Sequence, residues 1–387
     1  MPPAAPVIDP ARPPHETLRR RYPAPRPRGL AVLGLGEGVS ILSAAQTSPF
    51  WTTTCVCDLS ADLCRERAEA FDVPAVTTDY AALLARDDVE VVAVFTPDPL
   101  HADHVAQALE AGKHVVVTKP LLTELTDAPR LLRAQAATGK RVLVGQSSRY
   151  FATTLAQRAD FDAGHLGDLH AVEAHYHGDK RQGTSGAWAK HGENNWIYTG
   201  LIHPVDLVAG YLGPIDTVSA VANFGKVAQD GNYPHPDNFY AVFRDVNGVI
   251  GSAAGAYGTP GPPEAAQTSI ACTLRGDRGA SSAGYQNYRY ALRVDGEADV
   301  VRDLSDQHEY YFRFGGFHHH AGEFQNYLDH FWACLEEDRE PAPGLQEGVR
   351  IVAAVAAVEL SIATNATVRV PDLLADHGLN PDGSLAG

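Results

Sequence analysis

From Gly29 onward, short apolar or β-branched runs alternate with longer stretches in which alanine and leucine recur at helical spacing opposite charged residues. The runs at 30–33, 53–57, 91–96, 115–118 and 142–145 predict strands, and the stretches at 62–71, 100–111 and 125–138 predict helices between them. Strands separated by helices pair in parallel, so this part predicts a doubly wound α/β sheet. Past residue 150 the pattern changes. Runs at 170–177, 217–224, 238–244, 249–257, 269–275 and 291–294 are separated by Gly, Asp and Pro turns, which predicts a large, mostly antiparallel sheet. Residues 1–28 hold many prolines and arginines without apolar periodicity, and predict an extended or disordered arm, or one that embraces a partner.

A length of 387 residues is more than one core fills, so two domains are expected after the arm, 29–148 and 149–387. The net charge of −16 gives a surface that repels phosphate backbones and anionic lipid, which makes nucleic acid and membranes poor partners. The cluster Arg19, Arg20, Arg21, Arg26 and Arg28 before an apolar run resembles an export signal, but cleavage there would remove the glycine turn described next. The cysteines, Cys55, Cys57, Cys64, Cys272 and Cys334, are sparse, odd in number and form no C-x-x-C pair, as suits a reducing, cytoplasmic location.

The first strand runs into Gly34-Leu35-Gly36-Glu37-Gly38-Val39. Glycines there let the backbone approach a pyrophosphate, and the following helix offers its N-terminal N–H groups. The sixth position is Val39 where Gly or Ala is usual, with a glycine one place early at Gly38. Asp58 follows the second strand, 22 positions after Gly36, where a carboxylate accepts hydrogen bonds from the adenosine ribose and repels a 2′-phosphate. NAD is therefore expected over NADP.

Further along, Thr96-Pro97-Asp98-Pro99-Leu100-His101 and the segment Ala111-Gly112-Lys113-His114-Val115-Val116-Val117-Thr118-Lys119-Pro120 resemble the T-P-x-x-x-H and A-G-K-H-V-x-x-E-K-P segments of the glucose-fructose oxidoreductase, inositol dehydrogenase and MocA (Gfo/Idh/MocA) family. Gly164-His165-Leu166-Gly167-Asp168-Leu169, the H-x-x-D-L stretch from His203, two closing helices at 323–338 and 348–365 and a strand at 367–370 extend the resemblance over roughly residues 29 to 371. It implies an N-terminal Rossmann dinucleotide-binding domain, a C-terminal α/β domain with a large open sheet, an active site between them, and a homodimer or homotetramer formed through that sheet. It also implies an NAD(P)-dependent oxidoreductase acting on a CH–OH group of a sugar, cyclitol or related polyol. Two other readings are an enzyme that retains NAD through transient oxidation during elimination, epimerisation or glycosidic cleavage, and a non-catalytic dinucleotide-sensing binder.

The resemblance assigns cofactor contacts to Gly34, Gly36, Glu37, Gly38, Asp58, Thr96, Pro97, His101, Lys119 and Pro120. Hydride transfer from an alcohol needs a group that takes the hydroxyl proton, and the resemblance gives that chemistry to Lys119 and His203. Two family carboxylates are missing: Thr118 replaces the Glu before the lysine, and Thr199 replaces the Asp four places before the histidine. That removes negative charge that would hold Lys119 protonated and orient His203. Tyr198, beside Thr199, is a candidate phenolic donor. Substrate contacts are expected from Arg149 and Tyr150 after the last strand of the first sheet, from His175, His177 and Lys180, and from Thr199 and Asp206. Trp188, Asn194, Asn195 and Trp196 would cover a sugar ring by stacking and amide hydrogen bonds. His175 and His177 lack companion ligands, so no metal is expected. The run His318-His319-His320 is either a feature of the substrate cleft or a solvated turn.

Overall fold

The computed structural model describes residues 14–181, 195–231, 233–261, 269–285, 287–305 and 322–387. Trp188, Asn194 and the histidine run 318–320 lie outside them. The chain divides into two compact units, one comprising Met1–Phe151 and Gln307–Val349, the other Ala152–Asp306 and Arg350–Gly387.

In the first unit a parallel sheet has the order β3-β2-β1-β4-β5-β6. Its strands are β1 (Arg28–Leu33), β2 (Trp51–Cys57), β3 (Val76–Thr77), β4 (Val91–Val94), β5 (His114–Thr118) and β6 (Val142–Gly145). Every side chain of β4 is buried, as are Val115–Val117 of β5, the pattern of strands covered on both faces. Each fully buried valine contributes roughly 1.5–3 kcal/mol. Helices α2 (Val39–Gln46), α3 (Ala61–Phe71), α4 (Tyr80–Leu84), α5 (His101–Glu110) and α6 (Ala128–Thr138) connect the strands. The Ser60 hydroxyl accepts from the Leu63 N–H to open α3, and Gly139, at φ +64°, closes α6. The hydrophobic pattern predicts the strand after Glu90 as far as Thr96, but β4 ends at Val94. Pro97 then opens a 3-10 turn (Asp98–Leu100) that precedes α5.

Two features depart from the sequence reading. Pro14–Arg21 is a helix, α1, and not an extended arm. Leu18 is buried, Arg19 donates to the Thr47 carbonyl at 2.9 Å, and Tyr22 meets Trp332 edge to face at 5.0 Å. Overall composition obscures a short helix that buries Leu18 while Arg20 and Arg21 stay exposed. The second departure is the boundary at 149. Helix α10 (Glu323–Glu336), far along the chain, belongs to the first unit and packs on α2.

Asp329 on α10 is fully buried, accepting from the Ser48 hydroxyl at 2.6 Å and from the Gln325 amide at 3.4 Å. Burial pushes its carboxyl up to about 7, against the pull of Ser48, Gln325, Arg19 and Trp51. A carboxyl whose value is raised by folding stabilises the fold below its ordinary range and loses that contribution as pH rises through about 7. Stability of the wild type against heat is therefore expected to fall from the ordinary carboxyl range up to about pH 7 and to level off above it, and Asp329→Asn to flatten the dependence, by at most about 4 kcal/mol. Parallel curves for the two proteins would exclude this account.

The second unit carries a nine-stranded sheet of order β14-β13-β12-β11-β7-β10-β9-β8-β15. The strands are β7 (Leu169–His177), β8 (Ile215–Asn223), β9 (Asn238–Asp245), β10 (Ile250–Ala256), β11 (Ile270–Gly276), β12 (Gly279–Gly284), β13 (Arg289–Val294), β14 (Val300–Asp303) and β15 (Val368–Arg369). Its pairs are antiparallel except β7 with β10. Helices α7 (Ala152–Asp162) and α8 (Ile202–Leu212) cover one face, α9 (Lys226–Asp230) follows β8, α11 (Leu345–Thr364) enters from the first unit and α12 (Val370–Asp376) closes the fold. Along β9 buried and exposed residues alternate, and Val221, Tyr240 and Val242 stand exposed on the opposite face.

Candidate active site

The carboxyl ends of β1, β2, β4 and β5 carry the expected cofactor residues of the first unit. Gly34 has φ +85°, and a Cβ there would lie 2.5 Å from the Phe95 carbonyl oxygen, so only glycine allows β1 to turn this close to β4. A Cβ on Gly38 would sit 2.1 Å from the Gly34 carbonyl oxygen and 2.9 Å from Val32 Cγ1. Gly38 thus performs the close helix–strand packing that the motif usually assigns to its sixth position, which explains why Val39 is tolerated there. Gly36 differs from both: a Cβ on it meets nothing within 4 Å, and it is exposed beside exposed Glu37. Asp58 Oδ2 accepts from the Leu35 N–H and Oδ1 from the Ser60 N–H, both at 2.9 Å. Each oxygen keeps a second lone pair for a ribose hydroxyl. An open backbone cradle at the start of a helix, at the point where strand order reverses, with a fixed carboxylate on the next strand, fits a dinucleotide.

On β4 and β5 the picture is more mixed. Lys119 is half-buried directly after β5, and Pro97 is exposed. Thr96 and Pro120 are engaged through His101, whose Nε2 and Nδ1 lie 2.7 and 2.6 Å from their carbonyl oxygens. Thr96 Oγ1 is 2.9 Å from His104 Nδ1. The His101 ring, a residue expected at the cofactor, is fully buried and ties two strand ends together. Tyr150 is likewise a core residue: its side chain is buried, and its hydroxyl donates to the Ala342 carbonyl. Arg149 pairs with Glu347 at 2.6 Å, both largely buried. The expected substrate contacts of Arg149 and Tyr150 are thus used to hold the first unit together.

In the second unit, the residues before α8 form a π-helical turn (Ile197–Leu201), a wide turn often found at functional sites. Asn195 opens it, its Oδ1 accepting from the Ile197 N–H at 3.0 Å. Glu359 of α11 accepts from Asn195 Nδ2 at 3.1 Å and from the Tyr198 hydroxyl at 2.9 Å. Tyr198, the phenolic donor expected from sequence, is 9% exposed, and its hydroxyl anchors the turn on Glu359. Thr199 Oγ1 donates to the Asn195 carbonyl at 3.1 Å, Trp196 stacks on Tyr257 at 4.8 Å, and Asp206 is fully buried. Tyr198, Thr199 and Trp196 thus pack and hydrogen-bond within the turn and its surroundings, and Asp206 is buried on α8. A Cβ on Gly200 would lie 2.5 Å from the Tyr257 ring, so this turn packs too closely for a larger residue.

His203 is half-buried on the first turn of α8 and meets the Tyr176 ring edge to face at 5.7 Å. Strand alternation then decides the neighbouring histidines. Val172, Ala174 and Tyr176 share the face covered by α8, so His175 and His177, stacked at 4.7 Å, point to the other face. The two histidines expected to contact substrate therefore stand on the sheet face opposite Tyr176 and α8. Lys180 is exposed. Among the described residues no group of three or more metal-ligating side chains occurs. Sequence reasoning missed Tyr176, which its phase with Val172 and Ala174 could have revealed, and Glu359, for which no local signal exists.

The family described as an oxidoreductase family with an NAD-binding Rossmann fold matches residues 29–146, and its C-terminal alpha/beta domain matches residues 159–370. An inositol 2-dehydrogenase of Gluconacetobacter diazotrophicus is 38% identical over 128 residues, covering 33% of this chain and 38% of that protein. A dTDP-3,4-didehydro-2,6-dideoxy-alpha-D-glucose 3-reductase of Streptomyces violaceoruber is 36% identical over 136 residues, covering 35% of this chain and 40% of that protein. The chain thus matches well under two thirds of the length of these curated relatives. Among solved structures, an oxidoreductase from Agrobacterium radiobacter in complex with NAD+, L-tartaric acid and magnesium superposes with a TM-score of 0.81 at 19% identity, over 90% of this chain and 100% of that one. A levoglucosan dehydrogenase in complex with NADH and levoglucosan superposes with a TM-score of 0.76 at 18% identity, over 89% and 100%. These two likenesses concern the fold. With both of its domains matched in order along the chain, the protein belongs to the Gfo/Idh/MocA oxidoreductase family.

Proposed function

We propose that the protein is an NAD-dependent oxidoreductase acting on a hydroxyl or keto carbon of a sugar, cyclitol or related polyol. The observation that carries this reading is the row of strand ends in the first unit: Gly36 opens onto free space, Asp58 directly follows β2, and Lys119 directly follows β5. Relatives named for inositol and for a deoxysugar support the substrate class. When bound, NAD supplies the hydride acceptor for the alcohol carbon, and NADH the donor for the reverse reaction. The Lys119 ammonium donates a hydrogen bond to the reacting oxygen. His203 takes the hydroxyl proton as the carbonyl forms and returns it on reduction, so the C–H electron pair and the O–H proton are both accounted for. The test is a panel of polyols with NAD and of keto-sugars with NADH, followed by NADH absorbance. Turnover of a substrate without any net change in NADH would overturn it in favour of cofactor-retaining chemistry.

NAD is proposed over NADP because Asp58, held by two backbone N–H groups, faces a 2′-phosphate with like charge. NADP(H) is expected to bind at least about tenfold more weakly, about 1.4 kcal/mol, and Asp58→Ala to narrow the gap. Calorimetric titration giving the reverse preference would refute the assignment. We also propose that exposed Val221, Tyr240 and Val242 are covered in a homodimer or homotetramer built on the second unit's sheet, within the cytoplasm. Sedimentation should show an oligomer that Val242→Lys shifts toward monomer.

A further inference from the structure

Lys119 lacks the carboxylate one residue earlier that its family resemblance leads one to expect, because Thr118 stands there. An ammonium on a half-buried strand end loses part of its hydration and is stabilised by a fixed opposite charge. We propose that Asp98 is the positioning carboxylate of Lys119, supplying from the end of β4 the negative charge that Thr118 does not carry. The inference rests on the role given to Lys119 in the proposed function and adds a residue to it.

The placement follows from the sheet. β4 and β5 are parallel neighbours with Val94 opposite Val117, so the segments leaving them emerge side by side at one edge. His101 fastens these segments together through the carbonyls of Thr96 and Pro120, the residues on either side of the strand ends. Asp98 lies between Thr96 and His101 as the first residue of the 3-10 turn, and its carbonyl accepts from the His101 N–H. Asp98 thereby sits on a turn whose backbone is tied to Pro120, the neighbour of Lys119. The electrostatics agree. Burial pushes the Asp98 carboxyl up from its ordinary value, and the Lys119 ammonium, followed by His101, pulls it down.

The other titratable groups around this edge come from three elements. His104 of α5 contacts Thr96, and burial pushes its imidazole down. From α10, Tyr327 reaches the ends of β5 and β6: its Cζ would lie 3.6 Å from a Cβ on Gly145, which in turn would lie 3.5 Å from Thr118 Cα. Burial raises the Tyr327 phenol, and Glu323, one turn earlier, adds to the rise. Arg149, after β6, is paired with Glu347. Asp98 is the acidic group on the turn that His101 binds to Pro120.

The experiment measures the lysine directly. The pH profile of Lys119 acetylation by limiting acetic anhydride, read by mass spectrometry on the protein without cofactor, reports the deprotonated amine and needs no substrate. Asp98→Asn is expected to lower its midpoint by about one pH unit, the direction for an ammonium that loses an opposite charge. Turnover should fall about tenfold, with the NADH dissociation constant within about twofold, as for a positioned electrostatic group. Adding Thr118→Glu to Asp98→Asn should restore both the midpoint and the turnover, which a merely structural role for Asp98 would not produce. An unmoved midpoint overturns the proposal. A moved midpoint with unchanged turnover would uphold the pairing and count instead against the catalytic role of Lys119. Should Asp98→Asn not fold, Lys119→Met serves as the converse: the Asp98 carboxyl, followed by heteronuclear NMR, should titrate at higher pH, and an unchanged titration overturns the proposal.

Discussion

Lys119→Ala is expected to lower turnover at least about a hundredfold, the scale of a positioned acid–base or electrostatic group, while leaving NADH affinity within about threefold. His203→Ala should cost a comparable factor. If both residues serve one proton, the double variant loses less than the product of the single losses, because groups acting as a unit are not additive. Multiplicative losses would assign them separate tasks. Thr199→Ala should matter far less, since the Thr199 hydroxyl is turned inward to the Asn195 carbonyl. Near-full activity of Lys119→Ala on a substrate identified by the polyol panel would remove the centre of the proposed mechanism.

Gly36→Val is expected to leave the thermal midpoint nearly unchanged and to weaken NADH binding at least about a hundredfold, about 2.7 kcal/mol. The reason is local. A Cβ at Gly36 meets no protein atom within 4 Å, so the fold has room for the larger side chain, whereas that open space is where a pyrophosphate would approach the backbone. Gly34→Val provides the contrast. Its Cβ would lie 2.5 Å from the Phe95 carbonyl oxygen at a positive φ, so it should unfold the protein at lower temperature as well as lose the cofactor. Tight NADH binding by a folded Gly36→Val would show that the cofactor does not use this turn.

The covered parallel sheet was legible along the chain because its valine runs are buried on both faces and need no partner to be recognised. The glycine turn and Asp58 were legible because their chemistry is local in sequence. Strand β12, Gly-Ala-Ser-Ser-Ala-Gly, was missed, since small residues carry little strand preference of their own and pairing with β11 and β13 decides it. Helix α1 was missed for a related reason: a few side chains docked on α10 settle it against a disorder-like composition. Among the site residues, tertiary structure showed which polar groups find partners far away in sequence, as Tyr150 does with Ala342 and Tyr198 with Glu359. It also set His175 and His177 on the sheet face opposite Tyr176, because strand alternation allows only one of the two faces to meet α8. The sequence by itself determined the family, the doubly wound sheet and the cofactor cradle, since each depends on short-range pattern and backbone freedom. Only the tertiary structure decided which polar side chains remain available for chemistry, because a hydrogen bond or ion pair to a distant element commits a group without leaving any local trace.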